Sequence, residues 1–443
     1  MNEESEKPAV SYHTLGCKLN FAETSSLGRQ LNEAGFRKAQ PGEIPRICII
    51  NTCSVTETAD KKGRQLIRRL SSLYPDATIV VTGCYAQLKP GEVASIPGVD
   101  LVVGTNDKLR IAEFVKEWQR NHRFQLHVPA ATSLREFMPS CERGDRTRYF
   151  LKVQDGCDYW CSYCTIPMAR GRSRSGTIAQ MVELARRTAA EGGREIVLTG
   201  VNTGDFGKGT SETFFDLIRA LDEIDGISRY RISSIEPNLL TTDIIDWIAK
   251  DSRAFMPHFH IPLQSGSDRV LSLMRRRYDT AFFRDRILYI RSIMPDAFIG
   301  VDIIAGSRGE TQQEWEKSME FVASLPVTRL HVFPYSERPG TRALQLDAEE
   351  VPIAERHRRV GGLMDISQKK YEEFRRSMLN TQRPVLWEQP KSPDLPMHGF
   401  TDNYLRVEAP FSPSLINRVS RVSLQSIIDS ETIAGTPLEV FDN

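Results

Sequence analysis

Three cysteines in one short loop constrain this chain more than any other feature. Cys157, Cys161 and Cys164 are spaced C-x3-C-x2-C, after an apolar run that reads as a strand and before a turn rich in Arg and Gly. Such spacing lets one loop wrap one metal centre. Thiolates are soft ligands that favour iron-sulfur clusters or zinc. A structural zinc site takes four protein ligands, and this loop supplies three, with no His or fourth Cys close by on either side. A 4Fe-4S cube held by three cysteines keeps one iron open for a small bidentate ligand. A zinc knuckle and inert buried thiols are the alternatives that spacing alone leaves.

Cysteine use depends on compartment, so the rest of the chain bears on that choice. The N-terminus is charged and lacks an apolar core, and no apolar run reaches the roughly 18 residues of a membrane span. We therefore expect a cytoplasmic chain with no membrane partner, in which eight cysteines serve metal or catalytic roles rather than disulfides. Lys plus Arg number 58 against 57 for Asp plus Glu, so any basic surface must be local. Local clusters occur at Arg68-Arg69, Arg146 with Arg148, Arg170 to Arg174 and Arg275 to Arg277, each read first as a solvated face.

A chain of 443 residues exceeds what one core usually serves. Residues 8–118 alternate strands (9–15, 47–50, 78–82, 101–103) with helices (23–34, the stretch after Thr56, the stretch after Asp107), which predicts an α/β layer with a parallel sheet. Cys17, Cys53 and Cys84 each fall just after a strand, and strand C-termini of an open parallel sheet lie along one edge where ligands bind. This placement predicts a second iron-sulfur site, with buried thiols or zinc as alternatives. Residues 119–147 lack periodicity and read as a linker. Six further strands, at 149–153, 195–198, 230–233, 259–263, 298–304 and 329–333, alternate with helices and predict a (β/α)6 partial barrel over 148–380, closed by an exit helix at 355–378. Barrel chemistry sits at strand C-termini. Residues 381–443 switch to short alternating runs and predict a small β-barrel. Its five Lys/Arg against eight Asp/Glu argue against a broadly basic RNA platform. Lys391, Arg406, Arg418 and Arg421 are its candidates for a local phosphate patch. Cys48 and Cys141 read as core thiols.

The C-x3-C-x2-C motif with aromatic Tyr163 before the last Cys, continuing as Thr165-Ile166-Pro167 and Ala169-Arg170-Gly171-Arg172, resembles the radical S-adenosylmethionine (SAM) methylthiotransferases. The resemblance spans both cysteine sets, the barrel and a terminal TRAM-like domain. It implies that Cys157, Cys161 and Cys164 hold a 4Fe-4S cluster whose open iron chelates SAM, and that Cys17, Cys53 and Cys84 hold an auxiliary 4Fe-4S cluster carrying the sulfur. Gly200 and Asn202 then occupy the place of the SAM-amine loop, and Ser234, Glu236 and Gln264 that of the ribose and methionine contacts. Implied partners are tRNA, an electron donor such as flavodoxin or ferredoxin, and a sulfur donor. His13-Thr14-Leu15-Gly16-Cys17-Lys18-Leu19-Asn20 is similar to the branch that methylthiolates N6-threonylcarbamoyladenosine at tRNA position 37. Branches acting on isopentenyladenosine tRNA or a ribosomal-protein aspartate are the alternatives within the family. The threonylcarbamoyl carboxylate calls for a cation or several donors, for which Arg170 and Arg338 are candidates. Gly306-Ser307-Arg308-Gly309-Glu310-Thr311 departs from the family's G-F-P-G-E-T, yet still suits a turn into a helix capped by Thr311. From another class, a non-catalytic iron-sulfur RNA-binding protein or a zinc scaffold explains the cysteines, but not a cluster loop opening a six-strand barrel.

Overall fold

The computed structural model describes residues 7–134, 136–143 and 147–441. Residues 1–6, Arg146 and the last two residues, all used in the sequence reading, lie outside the described residues. Strands β1 (Ala9–Thr14), β2 (Arg37–Lys38), β3 (Ile47–Thr52), β4 (Thr78–Gly83), β5 (Leu101–Val103) and β6 (Gln125–His127) form one parallel sheet in the order β2-β1-β3-β4-β5-β6. Every residue of β3 and β4 is buried because helices cover both faces. The strand order reverses between β1 and β3, and such a switch point opens a crevice at the strand C-termini. Cys48 is a core thiol there, accepting a hydrogen bond from Ser11 Oγ at 3.2 Å.

The second unit begins with β7 (Ser140–Arg143), antiparallel to β8 (Arg148–Lys152). A two-stranded ribbon, β9 (Gln154–Asp155) with β10 (Arg174–Ser175), closes the cysteine loop. Strands β11 (Glu195–Thr199), β12 (Arg229–Ile232), β13 (His258–Gln264), β14 (Phe298–Ala305) and β15 (Arg329–Pro334) follow. They form sheets β12-β11-β8-β7 and β13-β14-β15, joined by the bridges Tyr230–Phe255 and Ser234–His260. Six parallel strands in chain order make the partial barrel. The stretch 119–147 differs from the expected linker: it supplies β6 to the first sheet and β7 to the second. Both are short edge strands held by pairing rather than by a sequence period. Thr311 caps the helix Gln312–Ser324 through Glu314 N, so the departed motif keeps its turn.

Strands β16 (Gln382–Trp387), β17 (Met397–Thr401), β18 (Arg406–Ala409), β19 (Val419–Ile427) and β20 (Thr432–Phe441) form a closed barrel in the order β16-β17-β18-β20-β19. Its core holds Trp387, whose Nε1 donates to Ser420 Oγ at 2.8 Å. This domain packs on the N-terminal end of β12. There the buried Arg229 donates to the carbonyls of Phe400 (2.7 Å) and Pro384 (2.9 Å), and the buried Arg231 to those of Asp402 (2.7 Å) and Thr401 (2.8 Å). Glu195 balances Arg231 at 3.1 Å. The cysteine edge is left at the opposite end. Among the described residues no helix is long and apolar enough to cross a membrane.

Candidate functional site

Two glycines draw the first cysteine set together. Gly16 has φ +107°, and a Cβ on it would come within 2.6 Å of Cys53 Cβ; Gly83 has φ +98°, and its Cβ would meet Thr52 O at 2.3 Å. Only glycine lets the loops after β1, β3 and β4 lie in contact. Cys17 starts the helix Lys18–Glu33 and is exposed, whereas Cys53 and Cys84 are buried. Burial, then the neighbouring Cys84, pushes the Cys53 thiol up to about 12, and Cys84 is raised by burial as well.

The second set is shaped by hydrogen bonds within its loop. Gly156, at φ +70°, lets the loop cross Arg172 O, where a Cβ would stand 2.0 Å away, and Cys157 N donates to Gly171 O at 3.1 Å. Tyr159 N approaches Cys157 Sγ at 3.4 Å, Ile166 N approaches Cys164 Sγ at 3.5 Å, and Arg276 Nη1 donates to Cys161 Sγ at 3.2 Å. Burial pushes Cys157 and Cys164 up to about 12, so these thiols become thiolates when a metal replaces the proton. Among the described residues no three His, Cys, Asp or Glu side chains gather tightly enough to enclose a single ion. Three sulfurs on the corners of a four-iron cube stand farther apart than three around one ion. Within each set the thiols act on one another electrostatically, and three soft sulfur donors are the kind an iron-sulfur cube takes.

The strand ends carry the remaining expected residues. Val201 N and Asn202 N both donate to Gln154 Oε1 at 2.9 Å, and Gly200 is small because a Cβ would press on that oxygen at 3.0 Å. Asn202 Oδ1 accepts from Glu236 N at 3.3 Å, while its Nδ2 is buried with no partner among the described residues. An unmatched buried donor at a strand end is what a ligand's acceptor would satisfy. Ser234 bridges the two sheets beside it, and Glu236 accepts from Arg276 Nη2. Gln264 adopts φ +68° at a bulge in β13. Gln264, Tyr163 and Cys164 line a cavity of about 270 Å³ with Asp302, Ile304 and the residues 333–336 after β15. Its remaining wall is Thr165 and Ile166, beside Cys164, with Val55 and Thr56, just beyond Cys53. One hollow thus meets both cysteine loops, whereas Gly200, Asn202, Ser234 and Glu236, which follow β11 and β12, do not line it.

Arg170 and Arg338 are not placed as the sequence reading had them. Arg170 is buried and donates to Glu23 (2.7 Å), Asp155 (3.0 Å) and Asn20 (2.6 Å). Arg338 is buried against Ser54 (2.7 Å) and Asp60 (2.8 Å). Both clasp the first domain to the barrel and face buried carboxylates there. Sequence reasoning missed Arg276, read as part of a solvated run, and Glu23, whose partners lie far away in sequence. It also missed the lumen group in which His260 Nε2 meets Asp302 Oδ1 at 2.6 Å beside His331. No local signal marks these contacts.

Comparison with known proteins follows the same outline. Residues 9–104 match a family described as Uncharacterized protein family UPF0004, and residues 151–322 match the Radical SAM superfamily. The threonylcarbamoyladenosine tRNA methylthiotransferase MtaB of Bacillus subtilis (strain 168) is 35% identical over 94% of this chain and 93% of that protein. The protein of the same name from Thermotoga maritima is 32% identical over 96% of each. A tRNA-2-methylthio-N(6)-dimethylallyladenosine synthase of Thermobifida fusca is 30% identical over 86% of this chain and 78% of its own length. Among solved structures, the radical SAM methyltransferase TsrM from Kitasatospora setae superposes with a TM-score of 0.58 at 15% identity, covering 76% of this chain and 77% of that one. At that identity the likeness is one of fold.

Proposed function

We propose, from the premise that this chain belongs to the threonylcarbamoyladenosine tRNA methylthiotransferase family of radical SAM enzymes, that it works through the hollow between its two cysteine loops. The reaction is addition of a methylthio group to C2 of N6-threonylcarbamoyladenosine in tRNA. The observation that carries the reading is the cavity walled by Cys164 and Tyr163 on one side and by Val55 and Thr56 on the other.

Cys157, Cys161 and Cys164 would hold the cluster that binds SAM, and Cys17, Cys53 and Cys84 a second 4Fe-4S cluster. When bound, these groups supply the radical that removes hydrogen from the base and the sulfur that replaces it. The chain's own part is placement. Arg276 ties Cys161 to Glu236 at the β12 end, the unmatched Asn202 Nδ2 offers a donor to SAM, and Ile304 and Phe333 help keep the hollow dry. Partners are tRNA, an electron donor of the flavodoxin or ferredoxin kind, and a sulfur donor, in the cytoplasm.

The substrate carboxylate calls for a cation or several donors, and Lys18 replaces the two buried, paired arginines as our candidate. It directly follows Cys17, and an incoming carboxylate would offset the burial that lowers the pKa of its amino group. No hydrogen bond or ion pair engages it among the described residues. The test is mass spectrometry of tRNA digests after turnover by the reconstituted enzyme. Threonylcarbamoyl-modified tRNA should gain the methylthio group and isopentenylated tRNA should not; the reverse outcome would overturn the substrate assignment.

A further inference from the structure

Where the two domains meet, buried cations outnumber buried carboxylates. Glu23 of the helix that Cys17 starts accepts from Lys108 (2.5 Å), Lys152 (2.9 Å) and Arg170 (2.7 Å). Asp155 accepts from Lys152 (2.8 Å), Arg170 (3.0 Å) and Arg174 (2.8 Å). Side chains of Lys108, Lys152 and Arg170 are 3%, 2% and 2% exposed, that of Arg174 is 11%, and both carboxylates are 1%. Four buried cations thus face two buried carboxylates, with the exposed Glu136 lining the same cleft; burial pushes the Asp155 and Glu23 carboxyls up, but the cations outweigh it and hold both well below the usual carboxylate range. The other contacts made here are neutral: Asn20 Oδ1 for Arg170, Asn51 Oδ1 for Lys108, and backbone carbonyls for Arg174.

An uncompensated buried charge costs several kcal/mol, so a surplus of this kind calls for a counter-charge nearby. The cysteine loops adjoin these cations: Lys108 meets Asn51 Oδ1, which stands 2.6 Å from where a Cβ on Gly83, just before Cys84, would lie, and Arg170 meets Asn20, whose amide nitrogen stands 3.2 Å from where a Cβ on Gly16, just before Cys17, would lie; Arg170 and Lys108 accordingly act to lower Cys84. A 4Fe-4S cluster with three thiolates is an anion in its oxidised state and a stronger one when reduced. We propose that the surplus positive charge around Glu23 and Asp155 is the counter-charge of the cluster held by Cys17, Cys53 and Cys84, and that it raises that cluster's reduction potential. This inference rests on the proposed second cluster. Arg170 is then a positioning residue acting through charge: it leaves the cysteine loop of the barrel, reaches the helix of Cys17, and lets one joint serve both sites. Net charge around a cluster is an established control of its potential.

The experiment is a potentiometric titration followed by electron paramagnetic resonance, on the full chain carrying Cys157→Ala, Cys161→Ala and Cys164→Ala so that one cluster remains. Lys108→Gln should lower the reduced-to-oxidised ratio at a fixed applied potential at least tenfold, about 59 mV for one electron. Glu23→Gln and Asp155→Asn should move it the opposite way, and Arg170→Lys should leave it in place. A purely structural clasp would give no such opposition of sign. Equal potentials in all variants that keep their iron, or loss of iron from every variant while the chain stays folded, would overturn the inference. Absence of any cluster from the parent variant would instead remove the second-cluster reading on which it stands.

Discussion

Arg276 donates one guanidinium nitrogen to Cys161 Sγ at 3.2 Å and another to Glu236. A charged donor on a cluster sulfur stabilises the reduced state, and the same side chain fixes the end of β12. Arg276→Met should lower the potential of the SAM-binding cluster and raise the KM for SAM. Arg276→Lys should restore part of the first effect and little of the second, because a lysine cannot fork. Potentiometry and SAM titration read these separately.

Two cysteine sets in separate domains predict two clusters and about eight irons per chain. Replacing Cys157, Cys161 and Cys164 by Ala should halve the iron and abolish 5′-deoxyadenosine formation. Replacing Cys17, Cys53 and Cys84 should halve it while SAM cleavage persists. Full iron in the second variant would contradict the auxiliary site.

Arg338 and Asp60 form a pair in which the side chains are 2% and 0% exposed. Removing one partner leaves a buried charge, a loss of about 3 to 5 kcal/mol, although Lys89 at 3.0 Å from Asp60 offsets part of it. Arg338→Met should lower the urea midpoint strongly, and the double variant with Asp60→Asn should recover much of the loss. Affinity for SAM should change little.

Lys18 gives a substrate prediction that needs no turnover. Stem-loop RNA bearing threonylcarbamoyladenosine should bind at least tenfold more tightly than RNA bearing its carboxyl methyl ester, as expected when a charged group loses its partner. Lys18→Met should erase that preference and Lys18→Arg should keep part of it. Fluorescence anisotropy measures all six combinations, and a Met variant that still prefers the acid would remove Lys18 from the role.

His331 is held down to about 4, chiefly by burial and then by His260, and burial holds His258 well below its ordinary value. Both rings are neutral when folded, so the unfolded chain binds more protons as pH falls below about 6.5. Stability should be fully present above that pH and decline between about 6.5 and about 4. His331→Gln should flatten the decline, as read from melting temperature against pH.

The sequence reading found what is local. Cysteines at strand ends, six barrel strands and the terminal barrel follow from period and turn chemistry, and a strand-end cysteine needs no partner to be noticed. Strands β6 and β7 escaped because their few residues are ordered by neighbours, Leu101 to Val103 and Tyr149 to Lys152. Arg170 and Arg338 sit beside motifs, yet Glu23 and Asp60, carboxylates that hold them, lie in another domain. Charge pairing over such a separation has no periodicity to read, and an arginine's sequence neighbours do not say whether its charge is free.

The carbonyls that Arg229 and Arg231 reach, those of Pro384, Phe400, Thr401 and Asp402, belong to the backbone of the terminal domain. Main-chain acceptors are indifferent to side-chain identity but demanding about loop path. The terminal domain can therefore drift in surface sequence across relatives while its two docking turns keep their shape. A chimera that grafts another β-barrel onto this chain would succeed or fail on the conformation of those turns rather than on resemblance elsewhere.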